Sequence, residues 1–436
     1  MKVYNTLSGK LEELKPIHEN EINMYVCGPT VYSYAHVGNM CPVIIFDMMY
    51  RYFKYLGYKV TYASNFTDVD DKIIKAAKEE GITEKELTEK FIKIYLEDVK
   101  ALNCLEIDYR PKVTETMDEI IAFIKGLVDK GDAYQQGDDV YYRVNAAKDY
   151  GEISKQSIED LEYGNRIEVS DNKENPYDFV LWKKTKEGIT WDSPFGKGRP
   201  GWHTECVVMI NKIFGNNIDI HGGGVDLKFP HHENEQAQNK ALHGCNLANY
   251  WIHNGHVMVN GVKMSKSLGN FMTARELLSK YPTNVIRLAI LKNNYRLPFD
   301  LTEALFSEAK TIDDKVANVL KQANLEINLK GLEVGKLTQD AKINEIMDND
   351  FNTSNLITYL LEVVKQLNTK LRNKEDFATE YDIIGLINYI LGLEYEFISL
   401  SEEDKALYQE WLGYREQKDF ENADRLRAIL VEKGIL

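Results

Sequence analysis

The apolar positions of the first hundred residues recur in two periods that alternate along the chain. Asn23 to Val26 reads as a short strand leading into the loop Gly28-Pro29-Thr30, and Lys59 to Ser64 alternates as a second strand. Between them a helical apolar period runs from Asn39 to Leu56. Pro42 in its first turn and Gly57 just past its end are the residues expected at a helix start and stop. A further helix from Thr83 to about Leu102 opens with Thr83 and Glu86, the spacing of a capping box. Strand, helix, strand in this rhythm predicts a parallel sheet joined by crossover helices.

After Arg110 the pattern changes. Met117 to Lys130 is helical and stops at Gly131, Val140 to Val144 reads as a strand, and Tyr150 to Asp192 is polar and irregular. This stretch reads as an insertion. The earlier rhythm resumes at Asn217 to Ile220, a strand entering the glycine-rich turn His221-Gly222-Gly223-Gly224. A helix with Pro230 at its start and Gly244 at its end follows, then a strand from Trp251 to Val259. Beyond Asp300 strand signals almost vanish. Thr302–Ala323, Asp340–Met347, Asn355–Leu371, Tyr381–Leu391 and Lys405–Lys433 all read as helical. The expected fold is α/β: a doubly wound parallel (Rossmann-like) sheet split by an insertion, with a C-terminal all-α domain. The expected segments are 1–110 and 193–260 for the two halves of the sheet domain, 111–192 for the insertion, 261–304 for a connecting region and 305–436 for the helices.

At 436 residues the chain is long enough for two to four domains. No stretch approaches the roughly 20 apolar residues of a membrane span. Met1 to Lys15 mixes polar and charged residues without the apolar core of a secretory signal. A soluble cytoplasmic protein with no membrane partner is expected. The net charge of −15 disfavours indiscriminate nucleic-acid binding, but a local basic surface suffices for phosphates. Five dispersed cysteines, Cys27, Cys41, Cys104, Cys206 and Cys245, argue against a disulfide framework and leave metal ligation or burial.

Two short segments carry candidate chemistry. Ala35-His36-Val37-Gly38-Asn39 lies between a strand and a helix, where backbone N–H groups and the helix dipole favour a phosphate. His36 can donate to phosphoryl oxygens and Gly38 admits a nucleotide close to the backbone; an ordinary turn histidine fits the same residues. Gly261-Val262-Lys263-Met264-Ser265-Lys266-Ser267-Leu268-Gly269 is a glycine-flanked cationic loop. Its pentapeptide KMSKS is rare by chance, and Lys263 and Lys266 can neutralise a departing pyrophosphate. Cys27 and Cys206, with His231 and Glu235 four apart on one helix face, would make a tetrahedral zinc shell. Spacing alone favours a surface His–Glu pair and two core thiols over that shell.

Taken together the chain resembles the cysteinyl-tRNA synthetases, a family of class I aminoacyl-tRNA synthetases, from about Met24 to Leu301 and more loosely to the end. Seven segments carry the resemblance in order: Met24–Tyr32, His36–Asn39, Asn65–Lys72, Gly201–Cys206, His221–Asp226, Phe229–Glu235 and the KMSKS loop. The resemblance implies that Cys27, Cys206, His231 and Glu235 hold one zinc ion that binds the substrate sulfur, and that His36, Asn39, Lys263 and Lys266 are catalytic. It further implies ATP contacts from His36, Gly38, Asn39, Gly224, Asp226, Lys263 and Lys266, with Gly28, Thr67 and Trp202 lining the amino-acid pocket. The implied partners are L-cysteine, ATP with Mg2+, and tRNA(Cys), handled by a monomer. His221, His203 and His232 lie nearby without an assigned role. Asn39 replaces the second histidine of the family's HIGH motif, and Ser33 stands where an aspartate is expected. The family's usual tail beyond Phe420–Arg427 is expected to be absent. Two alternatives share the motifs: a cysteine ligase for a small-molecule acceptor, as in mycothiol synthesis, and a non-catalytic relative.

Overall fold

The computed structural model describes residues 1–156, 173–259, 261–263 and 272–435. A hairpin of β1 (Lys2–Asn5) and β2 (Lys10–Glu13) precedes β3 (Glu21–Val26), α1 (Val37–Tyr55), β4 (Lys59–Ala63), α2 (Asp71–Glu80) and α3 (Glu84–Ala101). Next come α4 (Met117–Lys130), β5 (Ala133–Gln136), β6 (Asp139–Tyr142), β7 (Phe179–Lys184) and β8 (Gly198–Pro200). The chain returns through α5 (Trp202–Phe214), β9 (Ile218–Gly224), α6 (Glu233–His243) and β10 (Ala248–Asn254). A connecting region holds β11 (Val257–Val259), β12 (Val262–Lys263), α7 (Ala274–Lys280), α8 (Thr283–Leu291) and β13 (Phe299–Asp300). Six helices follow: α9 (Glu303–Lys330), α10 (Ala341–Met347), α11 (Thr353–Asn373), α12 (Ala378–Leu391), α13 (Glu402–Glu416) and α14 (Phe420–Glu432).

The central sheet is parallel, in the order β10-β9-β3-β4. β3 and β9 lie side by side and their crossovers run to opposite edges, so the sheet has a switch point at their carboxyl ends, where doubly wound folds bind ligands. All seven residues of β9 are buried, as expected of a strand covered on both faces. The glycines Gly222 to Gly224 therefore extend this strand and are not the turn expected from sequence. The segment from Trp251 to Val259 likewise divides into two strands at Gly255-His256.

The insertion is an antiparallel sheet, β5-β6-β7-β8. Three of its strands, β5, β7 and β8, were not expected from the sequence, and β8 carries it past Asp192 to Pro200. Helix α1 begins at Val37, which places Pro42 in its second turn. Pro42 has no N–H to offer the carbonyl of Gly38 four residues earlier, at a point where α1 faces the ligand cleft. The capping box of α3 forms as expected: Glu86 N–H donates to Thr83 Oγ1 (3.2 Å) and Thr83 N–H to Glu86 Oε2 (2.8 Å).

Helix α1 is buried on nearly every side, because the sheet covers one face and the later helices cover the other. The contact with those helices includes a buried ionic node. Asp47 accepts from Arg51 Nε (2.9 Å), Arg287 Nη2 (2.5 Å) and Leu105 N–H (2.7 Å). Arg287, fully buried, also donates to the carbonyls of Leu391 (2.6 Å) and Leu102 (2.9 Å), and Arg51 to Asn103 (2.6 Å) and Tyr389 (3.2 Å). The guanidinium of Arg287 lies so close to the end of α12 that a Cβ at Gly392 (φ +67°) would stand 2.3 Å from it. The carbonyl ends of two helices and one carboxylate thus satisfy two arginines.

Candidate functional site

Cys27 follows the last residue of β3, and its N–H donates to Gly222 O of the adjacent β9 (3.2 Å). Gly28 N–H donates to Asn65 Oδ1 (2.8 Å), and the Asn65 carbonyl would stand 1.7 Å from any Cβ at position 28. Only glycine allows the loops after β3 and β4 to touch this closely. Thr67 closes the same contact through its backbone, donating to Pro29 O (3.1 Å) and accepting from Val31 N–H (3.2 Å). Its hydroxyl donates to buried Glu205 Oε2 (3.1 Å). Thr67 is therefore buried behind the cleft wall and is not among the residues lining the cleft.

The second half of the sheet domain brings the other donors. Trp202 and Cys206 lie one turn apart on α5. His231 sits in the tight helical turn (Lys228–His232) that leads into α6, and Glu235 in the first turn of α6 itself. Cys27 Sγ is 3.7 Å from Cys206 Sγ and 3.7 Å from Glu235 Oε1, and His231 Nε2 is 2.7 Å from that same oxygen. One donor atom from each of Cys27, Cys206, His231 and Glu235 falls within 4.8 Å of the others. A second group, Cys27, His221, His232 and Glu235, meets the same distance limit. The first supplies two sulfurs, one imidazole and one carboxylate, a soft tetrahedral donor set. His221 Nε2 engages the other oxygen of Glu235 (2.6 Å) and His203 Nδ1 faces His231 Nδ1 (3.1 Å), the positions of residues that orient ligands.

Burial and crowding shift the protonation of this cluster. The hydrogen bond from Cys27 pulls the Cys206 thiol down to about 6, while burial pushes Cys27 well up. Burial lowers His203 and His253 to about 3. Burial also works against a charged His231, but Glu235 and Cys206 outweigh it and hold the imidazole up to about 10. These shifts favour a thiolate at Cys206 beside a protonated His231 that pairs with the Glu235 carboxylate, all in a buried space.

Above it lies the cleft. Cys27, Gly28 and Trp202 line one end, and Trp202 stacks on His231 with ring centroids 4.2 Å apart. His36, Gly38, Asn39, Gly224 and Asp226 line the same cleft around the end of β9 and the start of α1. Asn39 Oδ1 accepts the His36 N–H (3.3 Å), so the residue that departs from the HIGH pattern helps hold the first turn of α1. Lys263 belongs to β12, whose backbone pairs with Met258 of β11. Lys266 lies outside the described residues. Sequence reasoning did not single out Lys72, Arg110 and His256, which also line the cleft. Only Lys72 had a signal, as the last residue of the segment Asn65–Lys72.

The folds of solved tRNA synthetases match this architecture. Mycobacterium tuberculosis methionyl-tRNA synthetase in complex with methionyl-adenylate superposes with a TM-score of 0.62 at 15% identity, over 85% of this chain and 88% of that one. An Agrobacterium radiobacter K84 LeuRS in a ternary complex with tRNA gives 0.63 at 11% identity, over 87% and 84%. The family model for the tRNA synthetases class I (C) catalytic domain matches residues 13–311, and that for the DALR domain matches residues 342–396. Among curated proteins, the cysteine--tRNA ligases of Anoxybacillus flavithermus and Oceanobacillus iheyensis are each 44% identical, over 100% of this chain and 97% of theirs. That of Exiguobacterium sibiricum is 45% identical with the same coverage. The chain belongs to the class I tRNA synthetases, in the cysteine--tRNA ligase family.

Proposed function

We propose that the chain activates L-cysteine with ATP and transfers it to the 3′ end of tRNA(Cys). The observation that carries this reading is the sulfur-rich cage of Cys27, Cys206, His231 and Glu235 at the base of a cleft whose other end is a helix N-terminus bearing His36. The cage fits one Zn2+, which when bound supplies a thiophilic Lewis acid that favours a substrate thiolate over a hydroxyl. Trp202, stacked on His231, walls the amino-acid end, and Gly28 keeps that wall thin enough for a small side chain. Thr67 acts indirectly, by fixing the Gly28 loop. Discrimination by a metal-held sulfur is large enough that no editing domain is required.

In the first step the cysteine carboxylate attacks the α-phosphorus in line, and pyrophosphate leaves. His36 and the first turn of α1 receive the phosphates, Asp226 and Gly224 face the ribose, and Lys263 and Lys266 neutralise the leaving group, with Mg2+ accompanying ATP. In the second step a terminal ribose hydroxyl of the tRNA attacks the adenylate carbonyl. Positioning and charge neutralisation supply the catalysis, and no side chain acts as an essential base. Residues 261–304 connect this machinery to a tRNA-binding helical region, 305–436. A monomer working in the reducing cytoplasm fits the free thiols.

Pyrophosphate exchange with each amino acid, followed by tRNA charging, tests the reading. Cysteine alone should drive exchange. Exchange driven by methionine or serine would refute the substrate, and exchange without charging would point to a small-molecule acceptor.

A further inference from the structure

The cleft opens sideways into a smaller pocket at the N-terminal end of α1. Pro29, Thr30, His36, Asn39 and Lys72 line both spaces. The chain that returns from the KMSKS loop crosses beside this pocket: Val37 N–H donates to Met272 O (3.0 Å) and Ala274 N–H to Ala35 O (2.9 Å). Met272 and Ala274 therefore lie at the same edge of the cleft as the side pocket.

Lys72 is the one lysine or arginine among the residues lining the side pocket. Its side chain is exposed, with Nζ 5.8 Å from the centroid of the Tyr32 ring. Among the described residues no carboxylate pairs with it, whereas Lys75 and Lys78 on the same helix pair with Glu79 (3.9 Å) and Glu187 (3.8 Å). The neighbouring anions are engaged elsewhere. Asp70 caps α2 by accepting Lys72 N–H (2.8 Å), Asp71 pairs with Arg199 and Lys183, and Asp68 accepts from the backbone N–H of Thr114 (3.0 Å). An unneutralised cation held on a folded helix, facing a helix N-terminus across a pocket, suits a polyphosphate.

We propose that Lys72 is a second cationic contact for the β- and γ-phosphates of ATP, and that the side pocket receives the departing pyrophosphate. This rests on the adenylation proposed above. A bond forms between a cysteine carboxylate oxygen and the α-phosphorus, and the bond from that phosphorus to the bridging oxygen breaks. The electron pair stays with pyrophosphate, and Lys72 meets the charge that develops there. Lys72 meets the leaving group from α2, an element separate from the segment that carries Lys263.

The test uses the full-length, metal-loaded chain with Lys72→Ala and Lys72→Arg, and inorganic pyrophosphate as the probe. Lys72→Ala should lower the rate of cysteinyl-adenylate formation about a hundredfold, with little change in KM for ATP, because the contact strengthens as charge develops. Inhibition by added pyrophosphate should weaken at least about tenfold, and Lys72→Arg should recover part of both losses. Metal content, and transfer of cysteine from preformed adenylate to tRNA, should be unchanged. Normal adenylate formation with slowed transfer would overturn the proposal and place the terminal nucleotide of tRNA in the pocket. No change in any step would leave Lys72 a solvated surface charge. The unsubstituted chain reports separately on the function: without cysteine-dependent exchange, that reading fails and this one with it.

Discussion

Two buried polar clusters, of similar depth and opposite character, organise this protein. The node of Asp47, Arg51 and Arg287 joins α1 to the later helices, and its donors and acceptors meet at hydrogen-bonding distance. The cluster of Cys27, Cys206, His231 and Glu235 joins the two halves of the sheet, and its members are acceptors and soft donors packed against one another. The first is complete as it stands. The second has its own pairs, Glu235 with His231 and with His221, and adds two thiols to them in a donor set that suits a cation. A buried polar group must be paired, and the chemistry of the pairing atoms separates the two: hard charges and carbonyls in the first, soft metal-donor atoms in the second.

Four measurements can break or sharpen that contrast. The largest effect is expected from Asp47→Ala, which leaves two arginines buried without a carboxylate and should cost about 3–5 kcal/mol in denaturant unfolding. A loss under about 1 kcal/mol would show that helix carbonyls alone satisfy the node. Cys206→Ser should do the reverse. Metal analysis should fall from about one ion per chain to nearly none, while metal-free stability stays within about 1 kcal/mol of the parent. Retained metal would reassign the site to the alternative group containing His221 and His232.

His221→Ala removes the partner of the second Glu235 oxygen and should weaken metal affinity about 10–100-fold without abolishing binding, as read by competition with a chelator. Complete loss would make His221 a ligand. The smallest effect is expected far from both clusters, in the α13–α14 hairpin. There the hydrogen bond from Lys433, followed by those from Ser401, lowers Asp404 to about 2. A carboxylate depressed in the folded state contributes stability above its unfolded value and loses it as pH falls through the folded one. Helicity of this hairpin should therefore weaken between about pH 4 and pH 2, and Asp404→Asn should remove that pH dependence. An unaltered acid profile in the variant would show the pair to be immaterial.

Much of the sheet domain was legible because its signals are local. The caps at Thr83 and Gly131, the helical period of α1 and the alternation of β4 each reside in a few neighbouring residues. The glycines of β9 misled because a run without side chains carries no alternation, and only burial between β3 and β10 shows it to be a strand. The insertion strands β7 and β8 were hidden by lysines and glycines that suit an antiparallel sheet with one wet face. In the site, the family's motifs named donors that spacing alone left undecided. For Thr67 the motif gave proximity and not direction: its hydroxyl turns to Glu205. The Asp47 node was illegible, since Asp47 and Arg287 are separated by 240 positions and each charge alone reads as an ordinary surface one. Lys72 escaped notice for a related reason: what distinguishes it from Lys75 is a missing partner.

The pairing of β3 with β9 also sets an order of events during synthesis. Cys27 leaves the ribosome early, but the three donors it needs come after the whole insertion, the last at Glu235. A nascent chain ending anywhere before α5 holds only Cys27 of the four donors that the finished protein brings together. A metal held by all four donors would then have to wait until the two halves of the sheet have docked. An ion in that site would work as a seal on a completed assembly, which a chain stalled within the insertion could not acquire.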